Sequence, residues 1–336
     1  MCLHIGYKKA FIAKSDIEVY KYVDVEGQYY YTACRHYPIN LNELLEADEE
    51  EQLILKCNTK YCINGGAIHA CTATFNNGFI GKLCLKAIIK KGTEFYIQDD
   101  LKDIAAKEMY ITDEEITDER NTDLSDYLED ILKDAECNNN GIKVGYYLLS
   151  NGKFISPFDY KEGIIIGVVA LFDKNNNPIS MSIKSERIPW LRRIFDNKVS
   201  SDIYYNKVIE DMNGRMHTKN ILNSEDYDPD NFMAIEYCNN YYTEGTKSGD
   251  WYMPAIGECL KTAHNMLIIN MVLSKAGFDT YTWDDSLWSS SECNHEGDSC
   301  VWNCNMLDGT YYRYKSSKQV SLRVCPYINL VKKSNI

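Results

Sequence analysis

The stretch Asp250-Trp251-Tyr252-Met253-Pro254-Ala255-Ile256-Gly257-Glu258 decides the fold of the C-terminal part of this chain. Pro254 is unfavourable inside a helix but suits its first turn, and Glu258 stands where a carboxylate favours the helix dipole. We therefore expect a helix over residues 257–273 that begins in this stretch. A second landmark, Leu287-Trp288-Ser289-Ser290-Ser291-Glu292, follows that helix in the sequence.

Hydrophobic patterning predicts the elements that precede these landmarks. Gly163–Phe172 is a continuous apolar run, typical of a central buried strand, and Ile179–Ile183 is expected to be its partner strand. Phe232–Tyr242 has its apolar residues at helical spacing. The sequence thus predicts both strands and helices in the C-terminal part.

The first 115 residues have the pattern of a small, mainly β domain. Apolar and polar residues alternate after Asp16, and a β-rich run follows Gly27, so a hairpin is expected there. Residues 42–53 are acidic and predict a loop or a solvated turn of helix. Asn76-Asn77-Gly78 is a turn signal.

An acidic segment separates these two parts. Within it, five apolar residues recur at intervals of three and four and predict a short amphipathic helix that packs on a neighbouring domain or a second subunit: Leu124, Tyr127, Leu128, Ile131 and Leu132. The expected organisation is α+β, with a mainly β N-terminal domain at 1–115, an acidic helical linker at 116–143 and a further domain at 144–336.

Length and composition bound the function. A chain of 336 residues can form two domains, and 45% hydrophobic with 25% charged residues is ordinary for a globular protein. The net charge of −13 would repel phosphate backbones, so nucleic acid is not an expected partner. The 26 tyrosines favour a binding protein, because tyrosine supplies rigid amphipathic contact area.

Thirteen cysteines are present, and none of them forms a Cys-x-x-Cys pair or a zinc-ligand spacing. We expect most to be small buried hydrophobes of a protein made in a reducing cytoplasm. A disulfide of Cys293 with either Cys300 or Cys304 stays open.

The N-terminus has no apolar run of signal-peptide length, and no apolar window approaches the roughly 20 residues of a membrane span. The expectation is a protein that folds in the cytoplasm of the cell that makes it, without inserting into the membrane.

Three segments in order carry a resemblance to a known family: Gly249–Cys259, Leu287–Glu292 and Leu322–Pro326. Over about residues 144–330 the chain resembles the C-type-lectin-fold display domains of phages and gut bacteria, some of which are targets of diversity-generating retroelements. Met253, Ala255 and Cys259 depart from the usual letters of the first motif but keep size and polarity. The resemblance implies a C-type-lectin-like domain at 144–336, with its variable positions between the second landmark and the last strand.

The N-terminal domain resembles a small module of unknown role from phages and gut bacteria, on Ile12–Lys21 and Ile88–Thr93. We expect it to attach the protein or to help it form an oligomer.

The stretch after Gly277 is rich in aromatic and polar residues. Aromatic rings stack on sugars or anchor protein partners, while amides, carboxylates and arginine give directional hydrogen bonds. The candidate ligand-binding residues are Trp283, Asn294, His295, Trp302, Asn303, Asn305, Asp308, Tyr311 and Arg313. The resemblance, which puts the variable surface after the second landmark, implies the last six of them. The sequence leaves open whether Trp302 lies in the core.

Other site types find little support. Calcium-dependent sugar binding would need an Asp where Cys304 stands, after Trp302-Asn303, and a Glu-Pro-Asn loop that the chain lacks. Cys300 and Cys304 superficially suit the copper site of a formylglycine-generating-type oxidase, but the surrounding enzyme motifs are missing. No Gly-x-Ser-x-Gly occurs. We expect no catalytic residue, metal or cofactor.

The resulting expectation is a non-enzymatic virion protein of a tailed phage, a head or tail fibre or decoration. Its partners would be other virion proteins, further copies of itself, and a glycan or protein of the host surface. Two alternatives stay open: a bacterial binding protein with no role in a virion, and a purely architectural capsid component.

Overall fold

The computed structural model describes residues 3–5, 10–32, 38–47, 54–57, 60–63, 67–74, 82–191, 205–295, 298–314 and 320–330. Side chains are described within these ranges except at 3–5, 54–57, 60–63, 205–206, 293–295, 298–299 and 313–314. The chain divides into two compact units, Met1–Leu128 and Glu129–Ile336. The fold is mixed α+β, with more strand than helix.

The first unit is built from strands. In chain order they are β1 (Leu3–Ile5), β2 (Phe11–Ile12), β3 (Ile17–Glu26), β4 (Tyr29–Thr32), β5 (Pro38–Ile39), β6 (Glu43–Glu46), β7 (Ile54–Cys57), β8 (Lys60–Ile63), β9 (Ile68–Cys71), β10 (Leu83–Ile89), β11 (Glu94–Ile97), β12 (Asp103–Ala106) and β13 (Glu108–Glu115). Among the described residues, a large antiparallel sheet runs in the order β2-β11-β12-β9-β3-β10-β13-β6, and a small one in the order β1-β8-β7.

The predicted hairpin at Gly27 is confirmed: β3 and β4 pair antiparallel, with Glu26 opposite Tyr29 and Gly27 at a φ of 64°. The prediction of a loop or helical turn at 42–53 is wrong at Glu43–Glu46. Those residues form strand β6 on β13, because pairing along an edge satisfies their backbone although Glu43 and Glu46 are charged. The turn predicted at Asn76–Gly78 lies outside the described residues.

Helix α1 (Leu128–Asp134), preceded by a 3-10 turn at Ser125–Tyr127, confirms the predicted helix of the acidic segment. Its five apolar residues are buried. In the first unit, the ring of Tyr127 packs edge-on against Phe11 and Phe95, with centroid distances of 5.7 and 5.0 Å.

The described part of the second unit holds four more α-helices, a 3-10 helix at Tyr205–Glu210 and two sheets. The helices are α2 (Gly214–Leu222), α3 (Met233–Asn240), α4 (Ile256–His264) and α5 (Met266–Lys275). The strands are β14 (Tyr147–Leu149), β15 (Phe154–Ile155), β16 (Ile165–Phe172), β17 (Pro178–Ser182), β18 (Glu186–Pro189), β19 (Ser286–His295), β20 (Asp298–Asn305), β21 (Tyr311–Tyr314), β22 (Ser321–Val324) and β23 (Tyr327–Asn329).

The described strands form two five-stranded sheets, β15-β14-β16-β17-β23 and β18-β22-β19-β20-β21. Strand β16 is buried at all eight residues, which confirms the predicted central strand. The last strand, β23, returns to pair with β17 from the beginning of the unit, so the second sheet and the helices are inserted between two neighbouring strands of the first.

The predicted helix at 257–273 is two helices, α4 and α5, with a break at Asn265. The side-chain amide of Asn265 donates to the Ala170 carbonyl at 2.9 Å, which ties the break to strand β16. Within the described residues, no helix combines the length and the apolar character that crossing a membrane would require.

Two glycines permit the close approach of α2 to the start of α4. A Cβ at Gly214 would lie 2.5 Å from the backbone nitrogen of Ala255 and 2.7 Å from the Met253 carbonyl oxygen. A Cβ at Gly257 would lie 2.4 Å from the carbonyl oxygen of Asp211. Since these obstacles are backbone atoms, neither position can accept a side chain without moving a helix.

We therefore expect Gly214→Ala to lower the free energy of unfolding by about 1–3 kcal/mol through overpacking, although alanine has the higher helix propensity. All five tryptophans lie in the second unit, so tryptophan fluorescence during urea unfolding follows that unit. Lys219→Ala is an exposed change on the same helix and should shift the midpoint of urea unfolding little. A Gly214→Ala protein as stable as the wild type would contradict this packing.

Candidate functional site

The carboxyl group of Glu258 is the centre of the first landmark. One of its oxygens accepts the backbone N–H of Ala255 at 2.8 Å, at the start of α4, and the other accepts the hydroxyl of Tyr252 at 3.1 Å. Tyr252 is itself bonded to Tyr327 through both backbone groups, at 2.9 and 2.8 Å. The glutamate that the sequence assigned to the helix dipole therefore also ties the helix to the returning C-terminal strand.

The second landmark docks directly on the first. The backbone N–H of Ser290 donates to the Pro254 carbonyl at 2.7 Å, and the hydroxyl of Ser291 accepts the N–H of Ile256 at 2.9 Å. The Trp288 and Trp190 rings are buried in the core beside them, and Trp190 donates its ring N–H to the Ser289 carbonyl at 2.9 Å. Small hydroxyl residues are required here because they satisfy backbone groups of the first landmark inside the core.

A buried polar cluster lies behind the landmarks. The Ser291 hydroxyl donates to one carboxylate oxygen of Asp211, and the Nε2 of His217 lies 3.5 Å from the other. All three residues are at most 4% exposed. Burial lowers the pKa of His217, against the opposing charges of Asp211 and Glu292.

This cluster has the residue types of a serine hydrolase but not the arrangement. Ser291 and His217 both engage the carboxylate of Asp211, so among the described contacts the serine lacks a histidine base. In the part of the chain that the structure describes, all three side chains are covered rather than presented to solvent. We assign the cluster to the scaffold. Sequence reasoning did not single out Asp211 or His217, since nothing in their spacing marks them.

Two predicted contact residues lie in the core, and their assignment to the ligand-binding surface is wrong. Trp302 and Asn303 are each 1% exposed. Strand β20 runs between β19 and β21, so both of its edges are paired. Consecutive side chains point to opposite faces of a sheet, so the burial of both residues shows that both faces are covered here. The ring of Trp302 packs 5.8 Å from that of Tyr311. The amide of Asn303 donates to the Tyr312 carbonyl at 3.1 Å.

Asp308 is also buried, which corrects its assignment as a contact. Its carboxylate accepts the N–H and the hydroxyl of Thr310, at 2.7 and 2.6 Å, and so shapes the turn between β20 and β21. The half-buried Asn305 accepts the backbone N–H groups of Leu307 and Asp308 and donates to the Trp283 carbonyl at 2.8 Å. These polar side chains satisfy backbone groups of the turn.

Trp283 and Tyr312 are the exposed aromatic residues beside this turn, at 46% and 52%. Tyr311 is half-buried. The side chains of Asn294, His295 and Arg313 lie outside the described ones, so their assignment stays a prediction. We call Trp283, Asn305 and Tyr312 the ring surface.

The loop that carries Trp283 is fixed by Asp285, whose side chain is fully buried. Its carboxylate accepts Arg187 at 2.7 Å, Arg323 at 2.9 Å and the N–H of Thr282 at 2.8 Å. The guanidinium of Arg323 also lies 4.8 Å from the ring centre of Tyr281. The arginine of the terminal motif is therefore a positioning residue for the Trp283 loop, a role that its sequence context did not reveal.

Among the described side chains, no group of three or more His, Cys, Asp or Glu is placed to hold a metal ion. Cys300 is disulfide-bonded, whereas Cys304 is a buried free thiol. Of the two pairings that the sequence left open, the one through Cys304 is therefore excluded. Cys293 is the residue opposite Cys300 in the strand register.

Comparison with known proteins finds no match: no family model, no curated protein and no solved structure resembles this chain significantly.

The buried carboxyl of Glu258 predicts a pH dependence of stability. Burial, with a contribution from Asp211, raises the pKa of Glu258 to about 8, against about 4.3 in an unfolded chain. The folded protein therefore keeps a proton that the unfolded chain releases, and the stabilisation is lost as the pH rises from about 5 to 8. Glu258→Gln resembles the protonated acid and should remove this loss.

The free energy of unfolding, measured by urea titration from pH 5 to 8, should thus fall more steeply for the wild type than for Glu258→Gln, by up to about 1.4 kcal/mol per pH unit. Glu244→Gln removes the same charge at an exposed position. Its free energy of unfolding should depend on pH as steeply as that of the wild type. Parallel profiles for the wild type and Glu258→Gln would show that the buried carboxyl is ionised throughout.

The burial of Trp302 gives a second prediction. Trp302→Ala should lower the free energy of unfolding by about 3–5 kcal/mol because it empties a core position. Trp283→Ala should cost less than about 1 kcal/mol because that ring is half exposed. Thermal unfolding by circular dichroism compares the two, and equal losses would contradict the division between core and surface.

Proposed function

We propose that this chain is a binding protein of a phage virion, and that its C-terminal unit is a C-type-lectin-like display domain. The observation that carries the proposal is the ring surface: two exposed aromatic rings beside a turn whose polar side chains are occupied in holding the backbone. A fixed scaffold that presents aromatic rings is the usual construction of a recognition surface.

The connectivity of the second unit supports the proposed fold. The last strand returns beside the first strands, and the helices and the second sheet lie between them in sequence. The motifs that carry the resemblance also meet in space: Ser290 bonds Pro254, and Tyr327, which follows the terminal motif, bonds Tyr252. Motifs that belong to one structural unit would be expected to interlock in this way.

The chemistry of the ring surface favours a glycan or a protein of the host surface as the ligand. Half-exposed Trp and Tyr rings can stack on a sugar face or fill a protein pocket, and neither role needs a metal. The charge of −13 disfavours nucleic acid. We assign attachment to the virion and assembly with further copies of the chain to the N-terminal unit.

The test is binding of the purified full-length protein to a panel of gut-bacterial cells and to a glycan array. Trp283→Ala combined with Tyr312→Ala should reduce binding at least tenfold, because aromatic anchors dominate interface energies. Tyr29→Ala, which removes a ring that is 60% exposed in the other unit, is the matched control and should bind as the wild type does.

Three outcomes would overturn the proposal. Unchanged binding by the double variant would remove the ring surface from recognition. Absence of the protein from purified phage particles by mass spectrometry would favour a bacterial binding protein, whereas presence in particles without any binding to cells or glycans would favour an architectural component.

A further inference from the structure

A groove of about 550 Å³ lies between strand β18 and helix α3, apart from the ring surface. Its lining comes from the strand, from the loop before the helix and from the helix and its C-terminal end: Glu186, Ile188, Pro229, Asp230, Met233, Glu236, Tyr237, Asn240, Tyr241 and Tyr242. Among the described residues, the lining thus combines carboxylates, tyrosine rings and aliphatic groups, without a basic residue.

The charge of the groove is one-sided. Three of its lining residues are acidic, Glu186, Asp230 and Glu236. Glu236 is occupied, since it accepts the hydroxyl of Tyr227 and the amide of Asn240. Glu186 and Asp230 are exposed, and within the part of the chain that the structure describes neither forms an ion pair. The groove lining thus includes two carboxylates that have no basic side chain as a partner among the described residues.

Tyr237, Tyr241 and Tyr242 form an aromatic wall of the groove. Two contacts behind this wall fix the position of Tyr241. The hydroxyl of Tyr241 accepts the Ser182 hydroxyl at 2.7 Å, and its ring packs edge-on to Trp251 at 5.0 Å. Tyr237 lies 6.1 Å from Tyr241, and burial followed by the nearby Glu186 carboxylate raises the pKa of Tyr237. Tyr242, at the end of the wall, is 71% exposed. A carboxylate close to aromatic faces is a suitable environment for an ammonium or guanidinium group and its aliphatic stem.

Strand β18 forms one side of the groove and is an edge strand: its ladder partner in the described sheet is β22. Outside that ladder the Ile188 carbonyl accepts the ring N–H of Trp288 at 3.2 Å, and among the described residues no backbone–backbone hydrogen bond joins Glu186–Pro189 to another segment. An open strand edge can pair with an added strand. The edge is short and ends at Pro189, so it can accept only a few residues of an extended chain.

We propose that this groove binds an extended peptide segment of a partner protein, paired with the edge of β18, with a lysine or arginine of the peptide between Glu186 and Asp230. The backbone of the peptide would supply affinity along the edge, and the basic side chain would supply specificity. A sugar is less suited to the site, because it cannot form a strand ladder along the edge. The proposal is independent of the ring surface and of the ligand proposed for it.

The experiment uses the full-length protein and three capped heptapeptides that differ only at the centre: Val-Thr-Val-Lys-Val-Thr-Val and the same sequence with Gln or Glu in place of Lys. Binding is measured by isothermal titration calorimetry at low and high salt. We expect the lysine peptide to bind at least tenfold more tightly than the other two. Its affinity should weaken in high salt, because an exposed ion pair is screened.

Glu186→Gln with Asp230→Asn should lower the affinity for the lysine peptide at least tenfold. Asp159→Asn with Glu162→Gln, exposed residues outside the groove, removes the same two charges and should change the affinity less than twofold. This control separates the groove from the general attraction of a basic peptide to an acidic protein. Circular dichroism checks that each variant is folded.

The proposal is overturned if the lysine peptide does not bind, if the three peptides bind equally, or if both double variants lose the same affinity. Binding of chitosan oligomers that the groove variant abolishes, with no peptide binding, would assign the groove to an amino sugar instead. Since neither variant alters Trp283 or Tyr312, failure here leaves the test of the ring surface unaffected, and the reverse holds as well.

Discussion

The second unit depends on one buried interaction, the carboxyl group of Glu258 between the first turn of α4 and the ring of Tyr252. Helix starts leave backbone N–H groups without partners, and inside a core these groups must be satisfied by side chains. Glu258 does so without contact with water, which is why burial raises its pKa to about 8. The close approach of Gly214 leaves no space for another side chain beside it.

The same constraint joins segments that are distant in the sequence. The stretch from Tyr252 to Ile256 bonds the C-terminal strand at Tyr327 on one side and the serines of the second landmark on the other. Because these bonds use backbone groups of an irregular segment, they fix the position of that segment more narrowly than apolar packing would. The sheet that carries the ring surface is thereby held to the sheet that closes the unit.

Much of this arrangement could be predicted from the sequence, and the features that could not be predicted were missed for physical reasons. The apolar run of β16 is a local signal, and the structure follows it. The stretch around Pro254 does begin a helix, but Pro254 itself lies just before the N-cap residue Ala255 and not in the first turn. The break at Asn265 depends on a bond to the Ala170 carbonyl, 95 residues away, which no local pattern contains. Periodicity likewise could not place Trp302, because alternation marks two faces of a strand but does not say whether both are covered. The role of Asp285 depends on two arginines brought together only by folding.

The polar side chains after the second landmark show why composition alone misplaces a binding surface. Asn303, Asn305 and Asp308 have the chemistry that recognises ligands, but here they bond backbone groups of a turn and of neighbouring strands. A tight turn between strands generates unpaired N–H groups, and short amide and carboxylate side chains are the residues that satisfy them. Because these polar side chains are taken up by hydrogen bonds to the backbone, only side chains without such bonds remain to contact a partner. At the ring surface the remaining side chains are aromatic. In the groove of β18 they are the carboxylates of Glu186 and Asp230. Recognition by this protein therefore has to be sought where the polar groups of the fold are already satisfied.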